Sequence, residues 1–450
     1  MSDKLLIKNG KVALSGENHL RNLDIEMQNG VITALGSNLS GDNVIEAKGC
    51  LVFPGGIDPH VHFDDPGFTE REDFLHGSSA AASGGITTVI DMPCTSVPPV
   101  TNQKNLEEKH RNIKEKAIVD YGFFGGVSYQ SYEEGFAEQM EELSRTVLGF
   151  KTYFLSGMDS FKSLTPYRFR QVLQKAQEIN IPVLLHAEDA GFVEEATATE
   201  KAAGATWQNY YRSRPEMAEI IAIQSAATIA RETDAELHIV HLATARAAQL
   251  IKDDDNITCE TCPHYLAFSK DDFTKYGSAL KTAPVVKSER NKSELWSMLR
   301  EGVINFMASD HAPAPEHQKN SGSVWTDYSG IPGNPTLWPY LYYEGYAAQR
   351  LPLSRFLEVV SENAARRYGL YDIKGSIAIG KDADLVIIDP EKKWTVRGKD
   401  LFSKGKITPF EGMEWEGRIR NTILRGQVIY DAERGITAKP GFGKLIKRKG

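Results

Sequence analysis

The chain has 450 residues, of which 41% are hydrophobic and 25% are charged, and its formal net charge is −8 at pH 7. This composition is typical of a globular protein, and the negative charge argues against a nucleic-acid partner, which would require a basic patch. No apolar run approaches the roughly 18 residues of a membrane helix, and the first residues lack the layout of a signal peptide. Four cysteines do not make a disulfide framework. We therefore expect a cytoplasmic protein without membrane or nucleic-acid partners.

Both ends of the chain carry short runs in which apolar and polar residues alternate. The N-terminal end contains LLIKNGKVAL, LDIEMQNGVITALG and NVIEAKGCLV, with breaks at Asn-Gly and Gly that are typical of hairpins. The same pattern returns near the C-terminus in ADLVIIDP, KWTV and IRNTILRGQVIYD. We predict one small β-sandwich domain built from residues 1–53 and 373–450. The basic end, KLIKRKG, is expected to be a solvated tail.

The intervening segment, residues 54–372, alternates apolar runs with amphipathic stretches such as QKNLEEKHRNIKEKA. Several of the runs are apolar on both faces, as in parallel sheets. The predicted strands are LVFPGGIDPH, TTVIDMP, DYGFFGGV, VLGFKTYF, PVLLHAE, ELHIVHL, ITCETCP and INFMASDH. Eight such βα units close into a TIM (β/α)8 barrel. A doubly wound open sheet is the structural alternative, but no G-x-G-x-x-G motif follows the first strand.

Side chains that can bind a metal stand at the ends of these predicted strands, where a barrel directs them to one mouth. His60 and His62 end the first strand, and residues two apart in a strand face the same side. The further candidates are Lys151 in the fourth strand, His186 at the end of the fifth, His241 at the end of the sixth and Asp310 at the end of the eighth. The sequence therefore predicts a metal site at this mouth.

Lys151 lies inside a strand, where burial of an unpaired ammonium group is costly. Burial lowers the pKa of an amine, and the neutral amine can react with carbon dioxide. The resulting carbamate is anionic and has two oxygen atoms. Carboxylated Lys151 could therefore bridge two cations as a carboxylate does.

Two features around the seventh strand have plainer interpretations. Cys259 and Cys262 form a C-x-x-C pair, but a zinc or redox site needs a second pair or a thioredoxin-like setting. We therefore expect two buried thiols. His264 follows this pair and is predicted to lie near the substrate, whereas His238 is expected to be a core or supporting residue.

Together these motifs resemble those of the amidohydrolase superfamily. More narrowly, they are similar to its cyclic-amide branch, which contains dihydroorotase, allantoinase, dihydropyrimidinase and hydantoinase. The resemblance extends over essentially the whole chain. The motifs that carry it are His60-x-His62, Phe150-Lys151, LLHAE, HIVHLAT, SDHAP and, near the end, GSIAIGKDADLVIID and KITPFEG.

The resemblance implies a metal-dependent hydrolase that opens the amide bond of a small cyclic substrate. It implies two zinc ions per chain, with the ligands His60, His62 and Asp310 on the more buried ion, His186 and His241 on the more exposed one, and carboxylated Lys151 between them. In such sites a hydroxide that bridges the metals attacks the ring carbon, and Asp310 passes the proton to the leaving nitrogen.

Relatives of this kind are usually homodimers or homotetramers, so the resemblance also implies a homo-oligomer. Some relatives have lost their metals and act as binding proteins. All six ligand positions are filled by competent residues here. The sequence therefore favours an enzyme over a binding protein.

The substrate ring is where alternatives stay open. Similar dihydroorotases hold the substrate carboxylate with Arg, Asn and His, and Asp64, Cys94 and Ala314 stand at those places here. A carboxylate facing the substrate anion would repel it. Allantoinases lack the same three residues and carry a run like ETCPHY, although the tryptophan usual in their first loop is absent from PGFTERED. We predict a neutral ring, allantoin or another substituted hydantoin, with dihydroorotate or a dihydropyrimidine as the alternative.

Overall fold

The computed structural model describes residues 4–448. Its first five strands are β1 (Lys4–Val12), β2 (Arg21–Gln28), β3 (Val31–Gly36), β4 (Val44–Glu46) and β5 (Leu51–Pro54). Strand β1 pairs antiparallel with β2 and parallel with β4 and β5. Asn29 and Gly30 both have positive φ in the two-residue connection to β3, as a tight Asn-Gly hairpin requires.

The middle of the chain forms a barrel of parallel strands. These are β6 (Gly56–Val61), β7 (Ile86–Asp91), β8 (Asp120–Phe123), β9 (Gly125–Gly126), β10 (Phe150–Tyr153), β11 (Val183–His186), β12 (Leu237–Ile239), β13 (Ile257–Thr261) and β14 (Phe306–Met307). Strands β6 to β8 pair in order, and so do β9 to β14. Only Phe124 separates β8 from β9, and a parallel bridge between Val61 and His311 joins the first strand to the segment after the last. The predicted (β/α)8 barrel is confirmed.

Helices alternate with these strands. In the first half they are α1 (Phe74–Ser83), α2 (Gln103–Ile113), α3 (Tyr129–Glu133), α4 (Phe136–Leu143), α5 (Pro166–Glu178), α6 (Ala190–Ala203), α7 (Trp207–Ser213) and α8 (Glu216–Thr233). In the second half they are α9 (Ala245–Ala248), α10 (Pro263–Ala267), α11 (Phe273–Tyr276), α12 (Glu289–Glu301), α13 (Glu316–Lys319), α14 (Asn334–Tyr340), α15 (Leu353–Leu357) and α16 (Asn363–Arg367).

Helix α5 illustrates why these segments are helical. Thr165 caps its first turn by accepting a hydrogen bond from the Arg168 N–H, and Pro166 occupies the first helical position. Its buried residues recur every three or four positions, as an amphipathic helix requires; they are Phe169, Val172, Leu173 and Ala176. None of the helices within residues 4–448 is both long enough and apolar enough to cross a membrane.

The last strands return to the sheet of the N-terminal segment. They are β15 (Leu385–Thr395), β16 (Glu414–Leu424), β17 (Gln427–Asp431) and β18 (Gly435–Ile436). Because β15 pairs antiparallel with β5, both chain ends share one nine-stranded sheet. A small β-domain built from both ends is therefore confirmed. Its pairing includes Pro54, one residue beyond the predicted limit at 53, and the boundaries 1–53, 54–372 and 373–450 stay predictions.

The described part of the basic C-terminal tail, residues 444–448, differs from the prediction of a solvated end, and Lys449 and Gly450 lie outside the described residues. Leu445 forms a parallel bridge with Tyr121 of β8, and the Ile446 N–H donates to the Tyr121 carbonyl at 2.8 Å. The side chain of Ile446 is buried against the barrel. The prediction was wrong because it weighed the charges of the tail and not the two apolar residues between them.

A buried ionic cluster connects the β-domain to the barrel. The Lys374 ammonium group lies 2.9 Å from Asp120 of β8, 2.8 Å from Asp382 and 2.7 Å from Asp384. Arg425 also pairs with Asp120. Burial opposes the charge on Lys374, but the three carboxylates raise its pKa above the usual value. The ammonium group therefore occupies the space that a metal ion would need between these carboxylates.

Replacing Lys374 by Met is expected to lower the free energy of unfolding by about 3–5 kcal/mol, because it leaves buried carboxylates unpaired. Urea denaturation followed by circular dichroism measures the change. Lys393→Met is the matched control, since Lys393 is 77% exposed and lies 3.8 Å from Glu416, and its effect should stay within about 0.5 kcal/mol. Equal losses in the two variants would contradict a structural role for the cluster.

Candidate metal centre and active site

The predicted metal ligands lie together at the carboxyl ends of the barrel strands. They are His60 in β6, His62 just after it, Lys151 in β10, His186 at the end of β11, His241 two residues after β12 and Asp310 three residues after β14. Ligand atoms of His60, His62 and Asp310 all lie within 4.8 Å of one another. Parallel strands end at the same face of a barrel, so residues far apart in the chain meet here.

The carboxylate of Asp310 is the centre of the first group. Its Oδ1 lies 3.2 Å from His60 Nε2 and 3.3 Å from His62 Nε2. Burial by itself raises the pKa of Asp310, but the surrounding histidines hold it well below the usual value. The backbone has φ of 49° at Asp310 and 38° at His241, a conformation that is uncommon outside glycine and concentrates at functional sites.

His186 and His241 form the second group. Nδ1 of His186 lies 2.9 Å from Nε2 of His241, and the rings of His60 and His241 have centroids 5.3 Å apart, so the two groups adjoin. Burial lowers the pKa of all three imidazoles below the usual value. These side chains are therefore neutral, which is the form that coordinates a metal.

Several polar atoms at this mouth are buried without a hydrogen-bond partner in the described part of the chain, among them Lys151 Nζ and His241 Nδ1. Each such atom costs on the order of 1–3 kcal/mol. Burial lowers the pKa of Lys151 to about 8, and its amine lies 4.8 Å from the centroid of the Tyr153 ring. A cation shared by these side chains would offset the cost, so the residues fit a metal centre.

Two buried glutamates contact ring nitrogens of the site histidines and orient the rings. Glu188 Oε2 lies 3.0 Å from His186 Nε2 and also pairs with Arg214. Glu260 Oε1 lies 2.5 Å from His60 Nδ1. A carboxylate on one ring nitrogen holds the tautomer that leaves the other nitrogen free for a metal.

The sequence interpretation did not single out Glu188 or Glu260. The available signal was an acidic residue at or beside the end of an apolar strand, in LLHAE and in ITCETC. His238, expected to be a supporting residue, lies with its Nε2 3.2 Å from Glu260 Oε2. Glu260 therefore connects His60 to the core of the barrel.

A cavity of about 620 Å³ opens beside the two histidine groups. Its wall contains His62, His186, His241 and Asp310, together with Cys94, Tyr153, Arg71, Arg214 and the segment 328–330. The volume suits a small molecule. The predicted ligand side chains and the cavity therefore share one mouth.

The four predicted substrate contacts occupy different positions. Cys94 lines the cavity, with its Sγ 3.0 Å from the Tyr153 hydroxyl oxygen and 3.8 Å from His62 Nδ1. Asp64, His264 and Ala314 are buried and do not form part of the cavity lining. Contact of these three side chains with substrate stays a prediction.

The surroundings of Asp64 differ from those assumed in the charge argument. Burial raises its pKa to about 7, against the influence of nearby His62, Thr95 and Arg71. Arg71 itself lines the cavity, with its guanidinium 4.5 Å from the centroid of the Phe68 ring. The sequence argument rested on the charge of Asp64, with Arg71 as a partner that could turn it away. Which of the two faces the cavity depends on the loop conformation.

The family profile described as "Amidohydrolase family" matches residues 51–429. The chain belongs to this family. An allantoinase of Rubrobacter xylanophilus is 36% identical over 456 residues, with 99% of this chain and 98% of the relative covered. An allantoinase of Salmonella newport is 35% identical over 460 residues, with both chains fully covered.

Two solved structures have the same fold as this amidohydrolase. An L-hydantoinase (dihydropyrimidinase) from Arthrobacter aurescens has a TM-score of 0.94 at 29% identity, with both chains fully covered. A dihydropyrimidinase from Brevibacillus agri has a TM-score of 0.92 at 27% identity over 99% of each chain. The expected place in the cyclic-amide branch is confirmed, and the protein is a hydrolase of that branch.

Replacing Glu188 by Ala is expected to weaken binding of Zn²⁺ about 10–100-fold, because His186 loses the acceptor that orients its ring. Competition with a chromophoric chelator measures the affinity. Glu200→Ala is the control, since Glu200 pairs with Arg212 at 2.8 Å outside the cavity, and it should bind zinc like the parent protein. Unchanged affinity in Glu188→Ala would mean that His186 is held without this carboxylate.

Proposed function

We propose that this amidohydrolase opens the ring of a neutral cyclic amide, with allantoin or another substituted hydantoin as substrate. The observation that carries the proposal is the convergence of six ligand side chains beside one cavity of about 620 Å³. Relatives named allantoinase match the whole chain at 35–36% identity. Neighbours named hydantoinase and dihydropyrimidinase support the same class of ring.

Two zinc ions are proposed at this mouth. His60, His62 and Asp310 would hold one ion, His186 and His241 would hold the other, and Lys151 would stand between them. Zinc bound there would lower the pKa of a water molecule and polarise the ring carbonyl. The lowered pKa values of His60, His186 and His241 and the unpaired Lys151 amine support this assignment.

Lys151 is proposed to act as a carbamate. Its pKa of about 8 leaves a share of the amine neutral near physiological pH. The neutral nitrogen forms a bond to the carbon of carbon dioxide and releases one proton, which leaves an anionic group with two oxygen atoms. That anion would neutralise part of the positive charge that two cations would bring to this fully buried site.

Asp310 is proposed to move the proton during ring opening. Its carboxylate is anionic and borders the cavity, so it can accept a proton from the attacking water. The ring nitrogen is a poor leaving group until it is protonated, and Asp310 can return the proton to it as the C–N bond breaks. The single ring-opened product carries both the new carboxylate and the released nitrogen group.

The cavity wall bears on the choice of ring. Arg214 is paired with Glu188, and Arg71 is hydrogen-bonded to Gln318 at 2.7 Å and stacked on Phe68. Both arginines are thus engaged by the protein, which favours a neutral substrate. Arg71 is also the observation that favours the second candidate, dihydroorotate, because its guanidinium could bind a substrate carboxylate.

The homodimer or homotetramer and the cytoplasmic location expected from the sequence stay predictions.

Protein purified with zinc and bicarbonate should hydrolyse allantoin or hydantoin faster than dihydrouracil, and dihydroorotate poorly. Colorimetric detection of the ring-opened product measures each rate. Asp310→Asn should lower turnover about 10²–10⁴-fold, because the proton carrier is lost. Turnover of dihydroorotate as efficient as that of the best neutral ring would overturn the neutral-ring assignment and point to Arg71 as the carboxylate anchor.

Lys151→Ala is expected to lose bound metal and activity, and a short carboxylic acid such as propionate should restore part of both, because its carboxylate can replace the carbamate. Metal content by mass spectrometry and turnover with increasing propionate measure the effect. Asp310→Asn provides the control and should gain nothing from the acid. Full activity of Lys151→Ala without added acid would exclude the carbamate.

A further inference from the structure

We propose that Lys281 and Lys319 are positioning residues that hold one wall of the substrate cavity, residues 327–330, in the shape that receives the ring. The inference rests on the function proposed above. Tyr328, Ser329 and Gly330 of this segment line the cavity beside the metal ligands. We call the segment the 327–330 wall.

Both ammonium groups donate to main-chain carbonyl oxygens of the wall. Lys281 Nζ donates to the Asp327 carbonyl at 2.5 Å. Lys319 Nζ donates to the Tyr328 carbonyl at 3.0 Å and to the Gly330 carbonyl at 2.8 Å. Three of the four carbonyl groups in the wall are therefore directed at two buried lysines.

The main chain completes this attachment. The Gly330 N–H donates to the Lys281 carbonyl at 2.9 Å, and the Tyr328 N–H donates to the carbonyl of Gln318 at 2.8 Å. Gly330 has φ of 150°, and a Cβ at this position would lie 2.3 Å from the Ala312 carbonyl oxygen, so no larger residue fits. The wall is thus closely packed on its outer side and open to the cavity on its inner side.

Filling space does not explain these two lysines. They are 3% and 1% exposed, and in the part of the chain that the structure describes neither forms an ion pair with a carboxylate. An apolar side chain of similar length would fill the volume without the cost of burying a charge. An ammonium group has three N–H donors and can orient several carbonyls at once, which an apolar side chain cannot do.

The same burial makes the wall sensitive to pH. Burial lowers the pKa of Lys319 to about 7 and that of Lys281 to about 8. Asp327 faces both lysines and opposes the lowering of their pKa values. Lys281 lowers the pKa of Lys319 further. Lys281 itself faces Arg214 and Lys201, which lower its pKa, and the Tyr210 ring. As the pH rises through this range, each amine loses a proton and a donor, and the hold on the wall weakens.

The test compares Lys319→Met and Lys281→Met with the parent protein, all loaded with zinc. KM for the best neutral ring should rise about tenfold in Lys319→Met, because hydrogen bonds from a charged group to the wall are lost, while kcat stays within about twofold and metal content is unchanged. Amide hydrogen exchange in peptides covering 327–330 should accelerate. In the parent protein KM should rise between pH 7 and 8, and this rise should be smaller in Lys319→Met, where only Lys281 still loses a proton in this range.

Lys381→Met is the matched control. Lys381 Nζ also donates to two main-chain carbonyls, those of Tyr371 and Lys374, but neither of these partners lines the cavity, whereas Tyr328 and Gly330 do. Its loss should leave KM and exchange in 327–330 unchanged.

Parent-like KM and exchange in both cavity variants would overturn the proposal, and so would an equal rise of KM in Lys381→Met. Hydrogen exchange needs no substrate. A parent protein that opens none of the rings would therefore count against the proposed function and leave the test of the wall intact. If Lys319→Met does not fold, Lys281→Met and the pH dependence of exchange in the parent protein decide the question.

Discussion

The structure depends on one constraint, the burial of polar side chains at a single mouth of the barrel. His60 and Asp310 are separated by most of the barrel sequence, yet their side chains lie 3.2 Å apart. Lys151 stands beside them with no hydrogen-bond partner among residues 4–448. Such burial is unfavourable for a protein alone, and it becomes favourable when a cation shares the ligands. The side chains that fit a metal centre are thus the same ones whose burial is unfavourable for folding.

Other buried charges are stabilised by partners within the protein. Glu260 lies against His60 and His238 and orients the first of them. Lys374 lies among three carboxylates and joins the β-domain to the barrel. Lys281 and Lys319 have carbonyl oxygens as partners and hold a cavity wall. Each of these charges therefore requires one particular arrangement of its partners, because removing a partner from a buried charge costs more free energy than the contact contributes to stability.

At the substrate cavity, the orientation of the charged side chains decides which charge a bound molecule meets. Asp64 is buried and absent from the cavity lining, whereas Arg71 and Arg214 are part of it. Both arginines already have protein partners, Gln318 and Glu188. A count of charges near the metal ligands therefore says little about the substrate, because partners and direction decide which charge a ligand meets.

Local sequence patterns were enough to predict the barrel, the β-domain from both ends and the set of candidate ligands. Strand periodicity is local, and parallel strands place their last residues at one mouth, so His186 and Asp310 could be named as candidates from position, while their roles followed from the family resemblance. The roles of Glu188 and Glu260, the buried place of Asp64, the tail residues Leu445 and Ile446, and the lysine contacts of the 327–330 wall were decided only in the tertiary structure. These depend on how loops and side chains from distant parts of the chain pack together, which no local pattern encodes.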